Sequence, residues 1–220
     1  MSIKAVLIDL DGTLLDTVPD LADAANAMLA ELGRLTLPVH TVRDFVGKGI
    51  PNLVGRCLGY PGESGEPDAR AALAVFWRHY AAVNGRRTRI YPGVLEGLQA
   101  MHRAGLKTAC VTNKAAAFTG PLLEATGLAA LLDLTVSGDT LAEKKPHPLP
   151  FLHICAAFGI APAEALVVGD SRNDVAGARA AGCPVFCVPY GYSEGEDVRD
   201  LGADAIVATL EEAVHRLLKA

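Results

Sequence analysis

Two aspartates, Asp9 and Asp11, follow the apolar run Ala5-Val6-Leu7-Ile8 and precede Gly12 and Thr13. Carboxylates this close repel one another, and a cation between them relieves the cost. An ionised carboxylate can act as a nucleophile, and a protonated neighbour as a general acid. Asp-Gly is also a common turn pair, so this motif alone has a plain reading. A second acidic pair, Asp170 and Asp174, closes the run Val167-Val168-Gly169. Capping explains either of these aspartates singly, since acids favour a first helical turn. It does not explain acids at two strand ends that a parallel sheet would set side by side. Between the pairs lie Val111-Thr112-Asn113-Lys114 and Glu143-Lys144-Lys145-Pro146-His147-Pro148. A threonine hydroxyl and a free backbone N–H at the first could hold a phosphoryl oxygen, although Thr or Asn there also caps helices. At the second, the prolines stiffen the chain and could aim Lys145 at the site, with Lys144 as its competitor. His147 reads as a loop residue.

The elements that must position these groups alternate along the chain. Apolar, β-branched runs at 5–10, 106–112, 134–137, 165–169, 184–188 and 205–208 predict strands of a parallel sheet covered on both faces. Helical patterns at 93–103, 121–126, 149–158, 173–180 and 210–218 separate them. The expected fold class is α/β, a doubly wound, Rossmann-like parallel sheet with helices on both faces. The interval 16–91 contains no convincing strand and is too long for a crossover, which needs about a dozen residues. Helices at 19–32, 42–46, 52–58 and 68–83 predict an inserted α-helical cap. The expected division is a core of 1–15 and 89–220 and a cap of 16–88.

Composition removes other classes. Half of the 220 residues are hydrophobic and 5% aromatic, which suits helix-on-sheet packing. A net charge of −5 argues against a nucleic-acid partner, whose binders carry basic surfaces. No apolar stretch is long enough to span a membrane. The five scattered cysteines read as reduced core thiols, and the cytoplasm is the expected location.

In this order, each after a strand, the four motifs resemble those of the haloacid dehalogenase superfamily, with the cap between motifs one and two. That resemblance implies roles residue by residue. Asp9 is the expected nucleophile, forming an aspartyl-phosphate, and Asp11 the general acid and then base. Thr112 and Lys145 are expected to hold the phosphoryl oxygens, with Asn113 beside them. Mg²⁺ is expected on Asp9, the backbone carbonyl of Asp11, and Asp170, with Asp174 orienting a metal-bound water. Dehalogenases and phosphonate hydrolases of the superfamily lack an acid at the Asp11 position, so Asp11 implies a phosphate ester.

Among capped members, Asp16-Thr17-Val18-Pro19-Asp20 and Gly47-Lys48-Gly49-Ile50 look most like bacterial phosphoglycolate phosphatases. The resemblance implies a Mg²⁺-dependent phosphatase acting on a small phosphate ester, as a monomer or homodimer. Gly47 and Gly49 would let a cap loop approach the site, and Lys48 or Arg43 could meet a substrate carboxylate. A phosphosugar mutase or another sugar-phosphate or nucleotide phosphatase is the alternative. A phospho-accepting receiver fits less well, since it needs neither a cap nor Asp11.

Overall fold

Strand β1 (Ala5–Ile8) is buried at every residue, and the fold is built outward from it. The computed structural model describes residues 2–219. After β1 come the short β2 (Leu15–Asp16) and four helices, α1 (Val18–Glu31), α2 (Val39–Arg43), α3 (Ile50–Cys57) and α4 (Pro67–Val83). The chain returns through β3 (Arg89–Ile90) to α5 (Val94–Arg103), β4 (Lys107–Val111), α6 (Ala116–Ala125), β5 (Leu134–Val136) and α7 (Leu149–Phe158). It ends with β6 (Ala165–Gly169), α8 (Arg172–Ala181), β7 (Val185–Cys187), β8 (Ala205–Ile206) and α9 (Leu210–Lys219).

Six strands form one parallel sheet in the order β5-β4-β1-β6-β7-β8. The chain runs from β1 to β4 and β5 on one side, then crosses to β6, β7 and β8 on the other. β1 therefore lies at the switch point, where ligands of open α/β sheets bind. Val6 and Ile8 face one apolar cluster with Leu98 and Met101 of α5 and Val214 of α9. Ala5 and Leu7 face the other, with Phe151 and Ile154 of α7 and Val175 of α8. Coverage on both faces explains why the strands read as continuous apolar runs.

The four inserted helices gather in a further apolar cluster, which Phe118 of α6 and Tyr192 join from the sheet side. Leu21, Ala25, Met28 and Leu29 of α1 meet Leu53 and Val54 of α3 and Phe76 and Tyr80 of α4. The two ends of the insertion are tied together at its base. Buried Asp20 accepts from the backbone N–H groups of Gly85 (3.0 Å), Arg87 (2.8 Å) and Thr88 (3.0 Å) and from the Thr88 hydroxyl (2.7 Å). Two differences from the sequence reading have physical causes. β2 and β3 pair antiparallel as a two-stranded ribbon at the hinge, Leu15 opposite Ile90, and two-residue strands carry no periodicity to read. Helix α6 begins at Ala116, not at Pro121. Its first turn is held by the Ala116 N–H donating to Asp139 (2.8 Å) and by the buried Phe118. That packing tolerates a proline inside the helix at the loss of one backbone bond.

Candidate active site

Asp9 leaves the carboxyl end of β1 with its N–H donating to Val168 O (3.0 Å), which sets it level with the end of β6. Register does the rest. Ile8 lies opposite Cys110 on one side and Val168 on the other, so Thr112 and Asp170 flank Asp9. The sheet thereby brings three carboxylates, Asp9, Asp170 and Asp174, within 4.8 Å of one another, all buried. Gly169 allows this approach: a Cβ there would lie 2.3 Å from Asp174 Cγ. Gly12, at φ +96°, leaves room for Asp170, whose Oδ2 would lie 2.1 Å from an added Cβ.

One ammonium neutralises part of this cluster. Lys145 Nζ donates to Asp9 Oδ1 (2.6 Å), Asp174 Oδ1 (2.7 Å) and Val111 O (2.7 Å), which uses all three of its hydrogens. Asp174 Oδ2 also accepts from the Ser171 hydroxyl (2.7 Å) and N–H (3.2 Å), so both oxygens of its carboxylate are engaged. Asp170 accepts from the Tyr192 N–H. Burial pushes the Asp9 carboxyl up to about 7, against the opposing pull of Lys145. Burial, followed by the charges of Asp9 and Asp174, raises Asp170 well above the carboxylate range. Burial alone would lower Lys145, but Asp174 and Asp9 together hold it above the usual lysine value.

Asp11 occupies a different environment. Its Oδ1 accepts from the Thr17 hydroxyl (2.6 Å) and from Lys114 Nζ (3.0 Å). Lys114 is buried and its Nζ lies 4.9 Å from the centroid of the Tyr80 ring. Burial pushes the Tyr80 phenol up to about 12, which keeps it neutral beside the lysine.

A pocket between cap and core is lined by Asp9, Asp11, Thr112, Asn113, Lys114, Lys145 and Asp170 from below. Leu21, Val46, Ile50 and Leu53 close it from above. The Thr112 hydroxyl accepts from the Lys114 N–H (3.1 Å) and keeps its proton for a ligand, while the Thr112 N–H is spent on Val136 O (2.9 Å). The free backbone donor at this strand end is therefore the N–H of Asn113, which has no acceptor among the described residues. Asn113 Nδ2 donates to Gly47 O (2.9 Å) and Lys145 O (2.9 Å), joining cap to core. Gly47 and Gly49 line the pocket, at φ +128° and +91°.

The two cap cations do not reach this pocket. Lys48 Nζ pairs with Glu194 (2.7 Å), and Arg43 donates to the carbonyls of Tyr190 (3.0 Å) and Gly191. Lys48 and Arg43, expected near the substrate, make these contacts in this structure, because the turn that carries Gly47 and Gly49 inward carries Lys48 between them outward. Lys144 also turns away, to Lys48 O (3.1 Å), which leaves Lys145 alone in the carboxylate cluster. Sequence reasoning missed Lys114 and Tyr192. The Tyr192 hydroxyl accepts from the N–H groups of Thr17 (2.8 Å) and Val18 (3.2 Å) and donates to Asp16 (2.6 Å). One residue thus joins the hinge to Asp170, and nothing in its local sequence signals it.

The donor set suits a small, hard divalent cation. Three buried carboxylates face one ammonium, and the surplus of negative charge is what such an ion would balance. Asp9 and Asp170 have oxygens free of ammonium contact, and the carbonyl of Asp11 accepts no hydrogen bond among the described residues. Asp174, with both oxygens engaged by Lys145 and Ser171, is suited to an indirect role.

A family model for haloacid dehalogenase-like hydrolases matches residues 3–182. A phosphoglycolate phosphatase of Nitrosospira multiformis is 55% identical over 100% of this chain and 97% of its own length. One from Thiobacillus denitrificans is 52% identical over 100% and 98%. The crystal structure of a predicted phosphoglycolate phosphatase from Haemophilus somnus superposes with a TM-score of 0.92 at 32% identity, covering 98% of each chain.

Proposed function

The chain belongs to the haloacid dehalogenase-like hydrolases, and on that premise we propose that it hydrolyses 2-phosphoglycolate to glycolate and phosphate with Mg²⁺ as cofactor. The observation that carries the reading is the division of labour between two carboxylates in one pocket. Asp9 sits among acids and Lys145, whereas Asp11 sits apart with Thr17 and Lys114. Two carboxylates in unlike environments can serve as nucleophile and acid at once. The full-length likeness to phosphoglycolate phosphatases supports the substrate.

Lys145 holds Asp9 Oδ1, and no hydrogen bond among the described residues engages Oδ2, which is free to attack phosphorus. The new bond joins Asp9 to phosphorus as the ester P–O bond breaks, and the proton of Asp11 passes to the leaving glycolate oxygen. Asp11, now a carboxylate, takes a proton from water, whose oxygen attacks phosphorus and releases Asp9 and phosphate. The Thr112 hydroxyl and the Asn113 N–H are the donors for the equatorial oxygens, where charge is spread in the transition state, and the nearby Lys145 ammonium offsets that charge while it holds Asp9. Asp9, Asp170 and the Asp11 carbonyl would hold Mg²⁺, which when bound supplies charge that offsets repulsion between a carboxylate and a phosphate dianion. The cytoplasm is the proposed compartment, supported by five buried free cysteines.

A panel of phosphorylated metabolites assayed singly with Mg²⁺ tests this reading by phosphate release. Phosphoglycolate should give the highest kcat/KM. A hexose phosphate or nucleotide that surpasses it refutes the substrate, and the absence of phosphate release from every member refutes the reaction.

A further inference from the structure

Phosphoglycolate carries a carboxylate beyond its phosphate, and burying that second anion requires a cation that the phosphate does not already occupy. Two ammonium groups line the pocket, Lys114 and Lys145. Lys145 is committed to Asp9, Asp174 and Val111 O, one hydrogen to each. Lys114 meets Asp11 at 3.0 Å and the face of Tyr80, and no third acceptor among the described residues engages its Nζ. We infer that Lys114 receives the substrate's carboxylate and thereby sets specificity, an inference that rests on the phosphoglycolate reading above.

Covalent geometry supports the placement. The carboxylate carbon of phosphoglycolate lies two single bonds, about 2.4 Å, from the ester oxygen. Asp11 must come within roughly 2.6–3.2 Å of that same oxygen to protonate it. A cation 3.0 Å from Asp11 can then reach the carboxylate with one hydrogen bond. The alternatives lie elsewhere: Lys48 is paired with Glu194, and Arg43 with backbone carbonyls of the 190–191 segment. Above the site stand Leu21, Val46, Ile50 and Leu53. These four side chains offer nothing to the hydroxyls of a sugar phosphate, which favours a short substrate with one charged end.

The test compares phosphoglycolate with 2-hydroxyethyl phosphate, nearly the same size but neutral at the far end, in the Mg²⁺-loaded wild type and in Lys114→Met. Loss of Lys114 also disturbs Asp11, and that disturbance is common to both esters. The ratio of their kcat/KM values isolates the carboxylate contact and should fall roughly ten- to a hundredfold. Lys114→Arg should recover part of the ratio. A selective wild type whose ratio survives Lys114→Met overturns the assignment of Lys114 alone. A wild type indifferent to the two esters overturns the substrate reading, and this assignment with it. Should the variants fail to fold, a crystal structure of Asp9→Asn with Mg²⁺ and phosphoglycolate decides. The carboxylate should lie within about 3.2 Å of Lys114 Nζ, and finding it on Lys48, on Arg43 or in solvent refutes the inference.

Discussion

Replacing Asp9 with asparagine removes the nucleophile and also one of three carboxylates that share a single ammonium. Turnover should disappear, because a neutral amide cannot attack phosphorus. The metal-free protein, however, should become more stable near neutral pH. Burial raises the Asp9 carboxyl from 3.8 to about 7. A carboxyl raised on folding stabilises the native state below pH 3.8, and that contribution is lost as pH climbs through about 7. Each pKa unit corresponds to about 1.4 kcal/mol, so keeping Asp9 ionised near pH 8 costs about 4 kcal/mol. Asparagine still accepts from Lys145, which then serves Asp174 undivided. Lys145 and Asp174 relax in part to meet that cost, and a gain of about 2–4 kcal/mol is expected. For a chain of this size that corresponds to a rise in Tm of roughly 5–15 °C. Thermal melts in EDTA, run from about pH 8 down to about pH 5, measure it, and the advantage should shrink on acidification as wild-type Asp9 takes up its proton. Added Mg²⁺ should also shrink it by stabilising the wild type. An Asp9→Asn protein no more stable than wild type in EDTA near pH 8, or with a pH-independent advantage, would refute the reasoning.

Asp11→Asn should lower kcat by roughly 10²–10⁴-fold. In pre-steady-state phosphorylation an aryl phosphate should suffer less than an alkyl one, since its leaving group needs less protonation, and equal losses would exclude the acid role. Chelation should silence the enzyme and Mg²⁺ restore it. Ca²⁺ should support little turnover because it takes more ligands at longer distances and can hold both oxygens of a carboxylate; undiminished activity after exhaustive EDTA treatment would remove the metal from the scheme. Lys48→Ala breaks an exposed pair with Glu194 outside the pocket, so kcat/KM for phosphoglycolate should change by less than about threefold. A tenfold loss confined to that substrate would return Lys48 to the site.

What the sequence determined by itself was local. Ala5–Ile8 and Ala165–Gly169 are short apolar runs that end in acid, so Asp9 and Asp170 had to stand at strand ends in any parallel sheet. The alternation of runs and helical patterns called for helices on both faces, and the long interval without a readable strand pattern pointed to an insertion. Covalent linkage sets these features within a few residues of one another, and a linear pattern records them. Tertiary structure decided which side chains meet. Strand order placed β4 and β6 on either side of β1 and so made one cluster from carboxylates far apart in the chain. Lys144 and Lys145 are chemically identical neighbours, yet only the latter enters that cluster. Lys48 was a reasonable partner for a carboxylate by composition, and in the structure its side chain leaves the cap turn toward Glu194. Lys114 and Tyr192 acquire their roles from Asp11 and Asp16–Val18, contacts spanning much of the chain. Periodicity reports which face of an element is apolar, whereas the aim of a single polar side chain depends on packing between elements distant in sequence.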